Sequence, residues 1–61
     1  MKEKELANLY LFGGRCVYKN KYWNVVEHNK IKGVYILQAQ NGTELTEAIP
    51  EKCEFPPEMN G

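Results

Sequence analysis

The chain has 61 residues, with eight Lys plus Arg balanced by eight acidic residues, a formal net charge of zero and a mean hydropathy of −0.59. That length predicts one domain near the lower limit for independent folding, burying roughly 60% of the surface its unfolded chain exposes. A neutral total supplies no whole-chain drive toward nucleic acid or membrane, and the absence of any Ser or Asp excludes a Ser-His-Asp triad and Asp-based metal or phosphoryl-transfer sites.

Residues 2–11 carry helix formers, with Leu6, Leu9 and Tyr10 at the spacing of one apolar stripe, which predicts a short α-helix. Gly13 and Gly14 should stop it, because glycine accepts the left-handed backbone of a helix C-cap. Beyond them the helical period is lost, and short β-rich runs alternate with turn residues. Strands are predicted at 15–18, 22–27, 34–39 and 43–48. Lys19, Asn20 and Lys21 form the first turn, 29–33 the second, and Asn41-Gly42 a type I′ hairpin, whose two central residues need positive φ. Pro50 cannot donate to a sheet ladder, so the fourth strand should end by Ile49. A last short strand at 53–55 would close the sheet, and 56–61, beginning Pro56-Pro57, reads as a flexible tail. The domain is therefore expected at 1–55.

In the third strand Val34 and Ile36 lie on one face and Tyr35 and Leu37 on the other. Both faces are apolar, so the second needs a cover. Either the N-terminal helix lays Leu6, Leu9 and Tyr10 across it, or it is where a partner or a second copy of the chain docks, with Tyr35 as a contact.

Two cysteines, Cys16 and Cys53, are too few for a secreted disulfide scaffold, and no CxxC or Cys/His spacing points to zinc. No leader-like apolar region and no apolar run of membrane length occurs, which predicts a cytoplasmic protein. His28 could act as a base only with Cys16 or Cys53 beside it; a surface or turn histidine is the simpler reading. Gly13-Gly14 lacks the Lys and Ser/Thr of a phosphate-binding loop. No enzyme activity, metal or small-molecule cofactor is expected.

Three stretches resemble the SH3-like small-barrel superfamily, which includes SH3, Tudor and KOW domains. Ala48-Ile49-Pro50-Glu51-Lys52-Cys53-Glu54 is similar to the SH3 ending of a small residue, an apolar residue, Pro, two polar residues and a closing strand. Gly14-Arg15-Cys16-Val17-Tyr18, Tyr22-Trp23-Asn24-Val25-Val26 and Gly33-Val34-Tyr35-Ile36-Leu37 before Asn41-Gly42 follow the Tudor strand order. The resemblance implies a mostly β, five-stranded SH3-like barrel preceded by the helix. It also implies that the first and last strands are neighbours, bringing Cys16 and Cys53 together. A disulfide there would close a loop of 36 residues and contribute on the order of 3 to 4 kcal/mol; in a reducing compartment the pair would stay as buried thiols. Only Lys19–Lys21 stands where a peptide-binding SH3 domain has its long acidic loop. A methyl-lysine cage needs several aromatics and an acidic residue, whereas Tyr18, Tyr22 and Trp23 alone lie near the matching segment. A shared fold does not carry function across by itself.

Charge is unevenly spread. From Arg15 to Lys32 five basic residues face one Glu, a balance of +4, and from Glu44 to Glu58 five Glu face one Lys, a balance of −4. Two functional readings follow. In the favoured one the chain is a non-enzymatic protein-interaction module: an adaptor, inhibitor or regulatory subunit, of bacterial or phage-like type, that binds a protein partner or itself. In the alternative it binds nucleic acid through Arg15, Tyr18, Lys19, Lys21, Tyr22, Trp23, Lys30 and Lys32, whose aromatic faces stack bases while the cations neutralise phosphates.

Overall fold

The structure is a computed structural model that describes residues 1–57. Helix α1 (Glu3–Phe12) starts where the Glu5 carboxylate accepts the Lys2 backbone N–H at 2.7 Å, and Glu3 and Glu5 place negative charge in its first turn. It stops at Gly13, which adopts the left-handed conformation with φ 73°. Gly14 then donates its N–H to the Leu9 carbonyl at 2.7 Å. The chain is so close to the helix there that a Cβ on Gly14 would lie 2.5 Å from Leu9 Cδ2. Each glycine is needed for a different reason, one for its φ and one for its missing side chain.

Four strands follow, β1 (Arg15–Tyr18), β2 (Lys21–Asn29), β3 (Val34–Ala39) and β4 (Leu45–Ala48). They form one antiparallel sheet in chain order. The molecule is thus mostly β, a single helix on an open four-stranded meander. A single 3₁₀ turn, Pro50–Lys52, leads away from β4. Where a fifth strand was expected, the chain makes one bridge. Val17 and Glu54 exchange backbone hydrogen bonds of 2.8 and 2.9 Å along the free edge of β1.

The type I′ turn is not at Asn41-Gly42, neither of which has positive φ. It is at Lys19 (φ 52°) and Asn20 (φ 62°), the two residues left between the paired Tyr18 and Lys21. Leu45 pairs with Gln38, which leaves too much chain for a two-residue hairpin. Ala39 there binds Glu44 and Gly42 binds the Ala39 carbonyl, so Asn41-Gly42 closes an ordinary turn within a longer loop.

Alternation along β3 decides which face is inside. Tyr35, Leu37 and Ala39 are buried, while Val34, Ile36 and Gln38 are half-buried on the outer face. Three cross-strand rows build the inner face: Cys16, Trp23 and Ala39; then Val25, Leu37 and Thr46; then His28, Tyr35 and Ala48. Helix α1 covers them with Leu6 and Leu9, each contributing about 1.5–3 kcal/mol by burial. Cys53 and Pro56 complete the buried set. Of the expected tail, Pro56 is therefore packed and Pro57 exposed, and 58–61 lie outside the described residues.

A bulge at Val26, between the pairs Val25–Leu37 and Glu27–Ile36, reverses the alternation of β2. It puts Glu27 at the surface and turns His28 to the inner side. Among the described residues no helix is long and apolar enough to cross a membrane.

Gly14→Ala should lower unfolding stability by about 1–3 kcal/mol, since the added methyl must displace the buried Leu9 side chain. Gly42→Ala, with open space around it, should change it by less than about 0.5 kcal/mol. Urea midpoints of the two variants against the parent chain check this.

Candidate functional site

The residues read as a basic and aromatic surface are divided by the sheet. Trp23, 2% exposed, is a core residue: its indole N–H donates to the Tyr18 carbonyl at 2.8 Å and its ring meets Tyr18 edge-on. Tyr35 is fully buried. Neither can offer a face to a base or a partner, because the pairing that joins β2 to β3 sends both side chains beneath α1. They are removed from the expected contact set.

The other seven stay at or near the surface, mostly engaged within the chain. On the outer face the Arg15 guanidinium lies over the Tyr22 ring, 5.1 Å from its centre, within cation–π range. In the β1–β2 turn the Lys19 ammonium lies 5.3 Å from the Tyr18 ring centre. Lys21 reaches Glu44 at 3.4 Å and Lys32 reaches Glu47 at 3.7 Å, so the acidic end of the chain folds back onto the basic middle. Lys30 is exposed in the β2–β3 turn beside fully exposed Ile31. A shallow depression of about 300 Å³ between the β1–β2 turn and the β3–β4 loop is lined by Asn20, Lys21, Tyr22 and residues 39–41.

Two groupings were not legible beforehand. The first is a polar and aromatic cluster at the start of α1. His28 stacks on Tyr35 with ring centres 3.9 Å apart and planes 4° from parallel, and Tyr10 meets both rings edge-on. The Tyr35 hydroxyl donates to Glu3 Oε1 at 2.8 Å, and His28 Nε2 lies 4.0 Å from the same oxygen. Burial, and then the hydrogen bond to Glu3, push the Tyr35 phenol up to about 12. The contacts of His28 are thus Tyr35, Tyr10 and Glu3, not a thiol.

The second is apolar and exposed. Leu11 is 70% and Phe12 84% exposed at the end of α1. At about 100° per residue, Phe12 lies off the stripe that Leu6 and Leu9 bury, on the flank of the last turn.

No family model, curated protein or solved structure matches the chain.

The raised Tyr35 group stabilises the fold below pH 10 and loses that contribution as pH rises from 10, its unfolded value, through about 12. Unfolding stability should therefore fall across that window by on the order of 2 kcal/mol. Tyr35→Phe should remove this part of the fall. Urea titrations of both proteins at several alkaline pH values measure it.

Proposed function

We propose that the chain is a non-enzymatic protein-interaction module on an SH3-like scaffold, docking through the apolar end of α1. The carrying observation is Phe12, 84% exposed in the last turn of α1. Such exposure leaves water against a large aromatic side chain, and a partner surface that covers it gains the burial that the fold leaves unused. Adjacent Leu11 and half-exposed Tyr10 widen the contact. The SH3-like reading is supported by the four-strand meander, the single 3₁₀ turn at Pro50–Lys52 and the return of Glu54 to the edge of β1.

The nucleic-acid reading is the weaker one. Trp23 is withdrawn from stacking, and Lys21 and Lys32 are already partnered by Glu44 and Glu47. Such exposed pairs contribute little stability, but they cancel the field that would draw in phosphates.

Leu11→Lys/Phe12→Lys should leave unfolding stability within about 0.5 kcal/mol, because both side chains are exposed. It should also abolish self-association seen by light scattering, or the capture of a defined protein that the parent chain retains. Lys19→Glu/Lys21→Glu should leave that association intact. Binding to a mixed-sequence oligonucleotide that falls steeply with salt, and that the Lys19 and Lys21 changes alone remove, would overturn the proposal.

A further inference from the structure

The free edge of β1 is held by the C-terminal segment through one bridge, the pair of hydrogen bonds between Val17 and Glu54. Cys16 precedes one member of that bridge and Cys53 the other. Both cysteines are free thiols with no solvent exposure, and as the residues that precede Val17 and Glu54 in an antiparallel bridge they lie on the same face of it, in one buried cluster. The Cys53 thiol also lies 3.6 Å from the Ile49 carbonyl, and the Cys53 carbonyl accepts the Met1 amino group at 2.9 Å. Two nucleophilic side chains are thus neighbours beneath the bridge that joins the C-terminal segment to the sheet. Two small apolar residues would fill the same space without that chemistry.

We propose that Cys16 and Cys53 are a redox latch: a hydroperoxide converts the pair to an intramolecular disulfide that ties the segment after the 3₁₀ turn to β1, and a thiol reductant releases it. The pair is asymmetric. Its neighbour Cys16 holds the Cys53 thiol below its ordinary range, against burial, while Cys53 and burial push Cys16 up. The Met1 ammonium, held 2.9 Å from the Cys53 carbonyl, also favours negative charge at Cys53, which makes Cys53 the attacking thiolate and Cys16 the resolving thiol.

Cys53 Sγ attacks one peroxide oxygen, the O–O bond breaks, and the leaving hydroxide takes a proton to become water, leaving a sulfenic acid on Cys53. Cys16 Sγ then attacks Cys53 Sγ. The S–O bond breaks as the S–S bond forms, and the departing hydroxide carries off the Cys16 proton as a second water. Two thiols lose two electrons and two protons, and the peroxide is reduced to two waters. Access requires opening of the Val17–Glu54 bridge, which its two backbone hydrogen bonds, the Met1–Cys53 hydrogen bond and the burial of Cys53 and Pro56 oppose. The disulfide closes that same route.

The test treats the full parent chain with hydrogen peroxide under native conditions and follows intact mass after denaturing alkylation. The expected product is a monomer lacking two hydrogens, with no alkylatable thiol, restored by dithiothreitol. Amide exchange at Val17 and Glu54 should slow by about tenfold or more in this form, because the opening that exposes them is tethered. Cys16→Ser should trap a dimedone-reactive sulfenic acid on Cys53, and Cys53→Ser should leave Cys16 unreactive in the folded state. Two alkylatable thiols after peroxide treatment, disulfides only between chains, or over-oxidation to sulfinic acid in the parent protein would each overturn the latch. The parent-chain measurement needs no variant to fold and no partner to bind, so its outcome is separate from that of the interaction test.

Discussion

One helix has to cover the inner face of the whole sheet, and the other features of the fold serve that constraint. Tyr35, Leu37, Val25 and Trp23 all point to the same side, and a sheet with one apolar face is stable only when a second layer lies on it. Ten residues of α1 supply that layer, chiefly through Leu6 and Leu9. The helix is pinned at both ends. At its start Glu3 takes the Tyr35 hydroxyl. At its finish the Gly14 carbonyl accepts the Val25 N–H, so the chain leaves the helix already in register with β2. A bulkier residue at Gly14 would move the helix end away from the strand on which it rests.

The bulge at Val26 is the second device on which the core depends. Unbroken alternation from Trp23 and Val25 would drive Glu27 under the helix and turn His28 outward. A buried unpaired carboxylate costs far more than a local break in a ladder. With one extra residue on β2 the charge reaches solvent, and His28 closes the last inner row by stacking on Tyr35. The cost falls on Val26, half out of the core and 37% exposed.

Much of this architecture was legible because the signals are local. The boundaries of β1 and β3, the stop at Gly13-Gly14, the break at Pro50 and the helix as cover for Tyr35 and Leu37 follow from propensity, backbone freedom and period. Non-local pairing decided the rest. Asn41-Gly42 has the better type I′ composition, yet Lys19-Asn20 adopts that turn because the register of β1 on β2 leaves only two residues to cross. Val26 carries no mark of a bulge apart from the Glu that follows it. Trp23 and Tyr35 stand among the expected contacts, since apolar residues on both faces of a strand fix no register. Phe12 carries no mark of its own, because it lies off the helical stripe of Leu6, Leu9 and Tyr10.

The same pairing bears on how the surface can be used. A chain with a basic middle and an acidic end could keep its two charged segments apart and present two fields. Here the meander sets β4 beside β3, and Glu44 and Glu47 come within reach of Lys21 and Lys32. Among its apolar groups the fold leaves Leu11 and Phe12 uncovered at the end of α1, while Leu6 and Leu9 are buried. Covering such side chains needs a complementary surface and not a polyanion. Its affinity would come from a few desolvated anchors, so it should depend little on salt.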